Sequence, residues 1–256
     1  MYVFDREAYN RRMAWYTHAR FGMFLHWGLY AIPARGEWVR SWEQMPEEQY
    51  RPYFDEFNPV DFDARRWARA AKEAGMQYVV LTAKHHDGFC LFDSQYTDWK
   101  STNTPFGRDI VREFVDAVRA EGLHVGLYYS LLDWHHPDFP HRDDENHPDR
   151  NNEAVSDEGR DFNRYLEYMH NQVRELCTNY GKLDVLWFDF SYGKLRGEAW
   201  KATELVNMVR SLQPDVIIDN RLEVSGEGYG SLASGNPTPY HGDFVSPEQM
   251  IPPHGI

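Results

Sequence analysis

The sequence predicts an α/β fold: a TIM-type (β/α) barrel that is incomplete and has about six βα units. Short apolar runs have the composition of strands buried on both faces, and residues 185–190 are the clearest example. Segments with helical periodicity separate these runs, which implies parallel strands joined by right-handed crossovers. The runs end on polar or charged residues, and barrel enzymes carry their chemistry at the C-terminal ends of their strands.

The elements follow one another along the chain in a regular order. A polar segment at residues 133–157, rich in His, Asp, Pro and Asn, is predicted to lie as a loop over the mouth of the fold. The predicted strands are residues 21–28, 78–84, 124–130, 185–190 and 216–221, with a short sixth at 240–244. The predicted helices are residues 62–75, 108–122, 160–180 and 198–212.

The length supports a single catalytic domain over residues 1–256, because a TIM barrel typically needs about 250 residues. The six strand candidates are fewer than the eight that usually close such a barrel. An open sheet has exposed edges that invite pairing with another chain. We therefore expect a homo-oligomer in which a second copy completes the barrel wall.

Composition excludes several classes of protein. A net charge of −13 argues against a nucleic-acid partner, and no apolar run approaches the roughly 20 residues of a membrane span. The N-terminal residues are polar and charged, so no signal peptide is visible and a cytoplasmic location is expected. The two cysteines, Cys90 and Cys177, lie far apart in the sequence, which makes a disulfide framework or a structural zinc site unexpected.

Polar side chains close the predicted strands. If the strands form a barrel, these side chains converge on one mouth and form a candidate site. The residues concerned are His26, His85, His86, Tyr128 or Tyr129, Asp189 and Arg221.

Two carboxylates that face each other across a sugar ring are the minimum for glycoside hydrolysis. Asp189 is one, and Glu248, after the sixth strand candidate, is the best second. Arg221 can hold a carboxylate bidentately and keep it ionised. Histidines at the mouth would bond sugar hydroxyls, while Trp27, Trp38 and tyrosines would line the apolar side of the sugar.

A metal site is the competing interpretation. His26, His85 and His86, with Asp87 and Asp189, could bind Zn²⁺ as in barrel metallohydrolases. Adjacent side chains of an extended strand point to opposite faces, which argues against His85 and His86 sharing one ion. We therefore predict that no metal or other cofactor is bound. The loop histidines are expected to be solvated; they are His135, His141 and His147.

Six segments together resemble glycoside hydrolase family 29, the retaining α-L-fucosidases. They occur in the family's order and span nearly the whole chain, and the His-His-Asp-Gly-Phe piece is the most distinctive. The segments are residues 21–28 (FGMFLHWG), 36–38 (GEW), 84–91 (KHHDGFCL), 126–130 (GLYYS), 186–189 (LWFD) and 242–249 (GDFVSPEQ).

The resemblance implies roles for the candidate residues. Asp189 would be the nucleophile, Glu248 the general acid/base, and Arg221 would match the arginine after the fifth strand. A fucosylated oligosaccharide or glycoconjugate would be the substrate. The residues that would surround the fucose are His26, Glu37, Trp38, His85, His86 and Tyr128.

This chain differs from the family at its end. Family members usually continue into the last two barrel strands and a β-sandwich domain, whereas only eight residues follow Glu248 here. The chain is thus expected to be a short form of such an enzyme. The alternative is a carbohydrate-binding remnant without catalytic activity.

Overall fold

The computed structural model describes residues 3–225 and 228–248. The strands in these ranges are β1 (Gly22–Leu25), β2 (Tyr78–Lys84), β3 (His124–Ser130), β4 (Val185–Asp189) and β5 (Ile217–Ile218). The helices are α1 (Arg6–Ala19), α2 (Val39–Trp42), α3 (Glu47–Glu56), α4 (Ala64–Glu73), α5 (Ile110–Ala120), α6 (Phe162–Asn179), α7 (Ala202–Leu212) and α8 (Gly230–Ala233).

The five strands are parallel and form one sheet in chain order. This confirms the predicted α/β class. The sheet curls strongly, as the distance between its first and fourth strands shows. The rings of Phe24 in β1 and Trp187 in β4 lie with their centroids 5.0 Å apart. In a flat sheet, three strand spacings would separate these positions by about 14 Å. The curl brings the two strands face to face across an interior, as in a barrel wall.

The last two predicted strands are shorter than expected. β5 contains only Ile217 and Ile218, because the chain turns into a 3₁₀ helix at Asn220–Leu222. The predicted sixth strand is reduced to one parallel bridge between Asp219 and Phe244. A side chain at Gly242 would come within 2.5 Å of the Asn220 backbone, so the segment still lies directly against the end of β5.

Helix α1 is absent from the elements expected from sequence, because its charged and aromatic residues alternate without a clear apolar periodicity. It begins at Asp5, whose side chain accepts a hydrogen bond from the Ala8 amide at 2.9 Å. Its aromatic residues cover the N-terminal ends of the strands, where Trp15 stacks on His124, the first residue of β3, with centroids 3.9 Å apart. The opposite, C-terminal end of the sheet is left to form the site.

The sheet separates two apolar layers. Its outer face packs against the helices through residues such as Leu81, Leu127 and Leu186. Its inner face is lined by Val80, Tyr128, Val185 and Ile217, against which Met13 of α1 packs. Among the described residues, no helix combines the length and apolarity that crossing a bilayer requires.

A buried carboxylate ties the bottom of the sheet together. The Asp243 side chain is fully buried and accepts hydrogen bonds from Arg12 of α1 at 2.7 Å and from Arg210 of α7. It also accepts one from the Ile218 amide of β5 at 3.0 Å. One buried charge thus joins α1, at the start of the chain, to α7 and β5.

We expect Asp243→Ala to lower the free energy of unfolding by about 3–5 kcal/mol, because it removes the buried carboxylate that two guanidinium groups share. Urea denaturation followed by circular dichroism measures the change. Asp55→Ala is the matched control, since Asp55 forms an exposed pair with Arg51 on α3, and its loss should cost less than about 0.5 kcal/mol. Equal effects of the two substitutions would contradict this role of Asp243.

Candidate active site

The C-terminal ends of the strands enclose a cavity of about 220 Å³. All nine residues predicted from the sequence line it, and they come from separate parts of the chain. They are His26, Glu37, Trp38, His85, His86, Tyr128, Asp189, Arg221 and Glu248. The convergence expected of barrel strand ends is therefore present.

Asp189 is the last residue of β4, and both of its carboxylate oxygens are hydrogen-bonded. Oδ2 accepts from the Tyr128 hydroxyl at 2.6 Å, and Oδ1 accepts from Nη1 of Arg221 at 2.7 Å. Burial, and then the negative charge of Asp189, raise the pKa of Tyr128 well above its usual value, so its hydroxyl remains a donor. The carboxylate is thus held in one orientation at the floor of the cavity.

The residue after Asp189 has an uncommon backbone conformation. Phe190 has φ of 78°, a left-handed value that costs a non-glycine residue on the order of 1–3 kcal/mol. Its ring packs edge-on against His86, with centroids 5.1 Å apart, and lies 5.4 Å from Trp38. The strained turn therefore places an aromatic wall directly beside the carboxylate.

Arg221 lies in the 3₁₀ turn after β5 and joins the two candidate catalytic acids. Ser246 fixes the guanidinium of Arg221 with two hydrogen bonds. The Ser246 hydroxyl accepts from Nε at 3.0 Å, and the Ser246 carbonyl accepts from Nη2 at 3.1 Å. Nη1 lies 2.7 Å from Asp189 Oδ1 and 3.0 Å from Glu248 Oε2. Because both oxygens contact the same nitrogen, they are less than about 6 Å apart, a spacing that fits retaining rather than inverting glycosidases.

The three histidines of the cavity are neutral bases. Burial is the largest cause that lowers the pKa of His26, and burial together with neighbouring positive charge holds the pKa values of His85 and His86 well below normal. The His86 Nδ1 and the Ser130 hydroxyl are 2.6 Å apart. Because Ser130 donates its proton to the Leu132 carbonyl, we assign the proton to His86 Nδ1, which leaves an Nε2 lone pair to accept from a ligand hydroxyl.

The expectation that His85 and His86 face opposite sides is wrong. Their rings lie side by side with centroids 4.0 Å apart, and both line the cavity. The alternation fails because the pairing of β2 shifts register between Thr82 and Lys84, and the strand ends at Lys84. Nδ1 of His85 is buried and has no hydrogen-bond partner among the described residues, so it is available to a ligand.

Three aromatic residues of the cavity are additional to the predicted set: Phe24, Trp187 and Phe190. Strand periodicity could have found two of them, because Phe24 precedes His26 by two positions and Trp187 precedes Asp189 by two. Nothing in the sequence signals the left-handed turn at Phe190. The prediction that Trp27 lines the sugar is wrong, since its ring stacks on Phe62 in the outer layer, with centroids 5.3 Å apart.

The polar segment 133–157 packs firmly against the cavity. Asp144 is fully buried and accepts hydrogen bonds from Nε1 of Trp134 at 2.9 Å and from the Tyr192 hydroxyl. The Trp134 ring then lies 5.5 Å from Trp38 and 5.4 Å from His86. A carboxylate of the loop thereby supports two walls of the cavity.

The expectation of solvated loop histidines fails for two of the three. His141 and His147 are buried with ring centroids 4.0 Å apart, whereas His135 is half-buried and stacks on Trp99. Among the described residues, only His141, His147 and Asp149 have potential metal-binding atoms close together, within 4.8 Å of one another. None of them lines the cavity, and Nδ1 of His147 already accepts a hydrogen bond from the Asp149 amide.

Buried histidines make stability depend on pH. Burial is the largest cause that lowers the pKa of His147, to about 2, and also depresses those of His85 and His86. The unfolded chain protonates these residues near pH 6.5, so it binds more protons than the native state below that pH. Buried carboxyls act oppositely, because burial raises the pKa of Asp87 to about 6 and that of Asp219 well above its usual value. Asp109 and Asp144 shift in the same direction, but histidines with lowered pKa values outnumber these carboxyls.

We therefore expect the free energy of unfolding to fall as the pH drops from about 7 to 5, by up to about 1.4 kcal/mol per pH unit for each such histidine. Urea denaturation at two pH values, about 7.5 and about 5.5, measures this on either side of the unfolded histidine pKa. His147→Gln should reduce the pH dependence, and His18→Gln, at an exposed position of α1, should leave it unchanged. Equal stability at both pH values would show that the buried histidines do not govern it.

A curled parallel sheet with two carboxylates and a ring of neutral histidines at its C-terminal end is typical of barrel glycoside hydrolases. The sequence matches the alpha-L-fucosidase family over residues 2–254. The chain belongs to the α-L-fucosidase family.

Solved structures agree with this assignment. Alpha-L-fucosidase isoenzyme 1 from Paenibacillus thiaminolyticus has a TM-score of 0.91 and 62% identity, with 97% of this chain and 58% of that chain covered. Alpha-L-fucosidase AlfC from Lactobacillus casei, in complex with α-L-fucose, has a TM-score of 0.76 and 34% identity. The match covers 84% of this chain and 72% of that chain.

Among curated relatives, the alpha-L-fucosidase of Dictyostelium discoideum is 30% identical over 233 residues, with 81% of this chain and 48% of the relative covered. The plasma alpha-L-fucosidase of Homo sapiens is 33% identical over 211 residues, with 74% of this chain and 42% of the relative covered. The chain thus spans about half the length of the curated relatives it matches.

Proposed function

We propose that this protein hydrolyses α-L-fucosides by a retaining double displacement. The observation that carries the proposal is the placement of Asp189 and Glu248 on the same guanidinium nitrogen, at 2.7 and 3.0 Å. The two oxygens bonded to this nitrogen are less than about 6 Å apart, which is nearer the carboxyl spacing of retaining glycosidases, about 5–5.5 Å, than that of inverting ones, about 6.5–9.5 Å.

In the first step, an oxygen of Asp189 attacks the anomeric carbon while Glu248 gives a proton to the departing glycosidic oxygen. The C–O bond to the leaving group breaks, and a fucosyl ester of Asp189 forms. In the second step, Glu248 removes a proton from water, the water oxygen attacks the same carbon, and the ester bond breaks. Fucose leaves with its original anomeric configuration, and both carboxyl groups return to their starting states.

Arg221 and Tyr128 hold the nucleophile for this reaction. Their hydrogen bonds to the two oxygens of Asp189 fix the orientation of the carboxylate at the floor of the cavity. His86 Nε2 lies 3.9 Å from Asp189 Oδ2, so it is placed to accept from a sugar hydroxyl beside the reacting carbon. Glu37 lines the same cavity and makes no side-chain hydrogen bond within the described residues, which leaves it free for the substrate.

The size of the cavity supports cleavage at a chain end. About 220 Å³ is below the roughly 300–1,000 Å³ of sites that enclose drug-sized ligands. A space of this size is closer to that of one deoxyhexose ring than to that of an oligosaccharide. Aromatic walls from Phe24, Trp38 and Phe190 suit the methyl group and the C–H face of fucose.

Solved structures of one relative support the choice of sugar. AlfC was solved with α-L-fucose as product, and a mutant of AlfC was solved with 4-nitrophenyl-α-L-fucopyranoside as substrate. The mutant was also solved with Fuca(1,6)GlcNAc. These ligands belong to a protein that shares the fold and about a third of its residues with this chain over the matched region.

Release of 4-nitrophenol from 4-nitrophenyl α-L-fucopyranoside tests the proposal, with the β-D-galactoside as the control substrate. We expect turnover of the fucoside alone, unchanged after prolonged EDTA treatment. Fucose binding without turnover would instead support the carbohydrate-binding remnant. A loss in EDTA that Zn²⁺ or Mn²⁺ reverses would support the metallohydrolase interpretation.

We also propose that chains of this sequence associate into a homo-oligomer. Among the described residues, β1 pairs only with β2, so its outer edge is open. Phe21 and Phe24 at this edge are 51% and 36% exposed, and Phe24 is also a wall of the cavity. A second copy on this edge would cover both rings. Light scattering and native mass measurement should show a dimer or larger assembly, and an active monomer at micromolar concentration would contradict this.

A further inference from the structure

Trp42 is the one tryptophan of this chain whose ring is mostly in water. It is the last residue of α2 and is 64% exposed, whereas the other eight tryptophans are buried or half-buried. A large aromatic side chain in solvent contributes little to the core. Its side chain therefore offers a large aromatic surface to a ligand.

The ring lies beside the segment that forms one wall of the cavity, since Glu37 and Trp38 line it. α2 begins directly after Trp38, a wall of the cavity, and the Trp42 amide donates to the Trp38 carbonyl at 3.0 Å. Residues four apart on a helix share a face and are separated by about 6 Å along the axis. A Cβ at Gly36 would lie 3.1 Å from the Trp42 ring, so the ring rests on the backbone just before Glu37.

The segment that carries Trp42 is braced from two sides. Ser41 donates to the Asn146 carbonyl at 2.5 Å, and Arg150 donates to the Ser41 carbonyl at 3.1 Å, which ties α2 to the loop over the mouth. Arg40 donates to Glu47 of α3 at 2.8 Å. The backbone that carries the exposed ring is therefore fixed before a ligand binds, which lowers the ordering cost of binding.

We propose that Trp42 is a platform for the sugar ring to which fucose is attached, on the leaving-group side of the scissile bond. The inference rests on the proposed function. If the cavity takes the fucose ring, the sugar to which fucose is attached lies outside it, beside the segment that carries Trp42. A pyranose has an apolar C–H face that stacks on an aromatic ring, and Glu37 in the same segment can accept from its hydroxyls.

Binding tests this platform without turnover. In an Asp189→Asn background, titration calorimetry compares L-fucose with Fuca(1,6)GlcNAc. Adding Trp42→Ala should weaken disaccharide binding about tenfold and leave fucose binding within about twofold. Trp42→Phe should restore most of the affinity, and Tyr96→Ala, which removes an exposed aromatic ring on the loop after β2, should change neither. Equal weakening for both ligands, or no weakening, would overturn the proposal.

Kinetics provide a second, independent readout. α-L-Fucosyl fluoride has no second ring, so Trp42→Ala should leave its kcat/KM within about twofold while lowering that of the disaccharide about tenfold. Equal losses on both substrates would show a structural role for Trp42. If the unmodified protein turned over neither substrate, the proposed function would fail, and the binding comparison would still decide the role of Trp42.

Discussion

Replacing Asp189 with glycine is expected to lower kcat on 4-nitrophenyl α-L-fucopyranoside by roughly three orders of magnitude or more. Asp189 is the only cavity carboxylate that is both buried and hydrogen-bonded at each oxygen among the described residues. Without it, the side chain that would form the ester intermediate is missing. A small anion such as azide fits the vacated volume and can attack in its place.

Azide should therefore restore part of the turnover of Asp189→Gly and release a fucosyl azide of inverted configuration. Because Arg221 loses its buried partner, folding must be checked by circular dichroism. Asp189→Asn keeps the shape of the side chain and serves as the second variant; it should be equally inactive but without azide rescue. Near-normal activity of a folded Asp189→Gly protein would show that another group is the nucleophile.

Replacing Glu248 with alanine is expected to have an effect that depends on the leaving group. A disaccharide has a poor leaving group that needs a proton, so its kcat should fall by about 10²–10⁴-fold. α-L-Fucosyl fluoride needs little acid assistance to form the intermediate, and its first step should be nearly unaffected. The Glu248 side chain is 52% exposed at the rim, which suits a residue that exchanges protons with solvent.

Pre-steady-state measurement separates the two steps, since Glu248→Ala should also slow hydrolysis of the ester and cause the fucosyl-enzyme to accumulate. Added azide should relieve that second step. Equal losses on the disaccharide and the fluoride in the first step would assign Glu248 to binding. Glu37 would then be the next candidate for the acid, because it lines the same cavity.

The sheet could be predicted well where the strands are long and apolar. β2, β3 and β4 lie almost where the sequence placed them, because runs buried on both faces have few polar interruptions. β5 is shorter than predicted, since apolar composition does not reveal the 3₁₀ turn that begins at Asn220. Helix α1 could not be predicted, because its buried side consists of aromatic residues interspersed with charged ones. The sequence does not show that these aromatic residues pack against the N-terminal ends of the strands.

The candidate site was predictable in its members but not in its geometry. Family motifs and strand ends pointed to nine of the twelve residues that line the cavity. The sequence could not show that Arg221 contacts both acids, because the three residues belong to separate segments of the chain. They meet only in the folded structure, where Ser246 accepts a hydrogen bond from the guanidinium. It also could not show that His85 and His86 share a wall, since a register shift in β2 has no sequence signature.

The stereochemistry of hydrolysis tests the central claim most directly. Proton NMR during early turnover of 4-nitrophenyl α-L-fucopyranoside distinguishes the two anomers of free fucose before they equilibrate. A pair of carboxylates joined by one arginine nitrogen predicts that α-L-fucose appears first, with the β-anomer following only by mutarotation. Initial release of β-L-fucose would mean a single displacement by water, and would contradict the assignment of Asp189 as nucleophile.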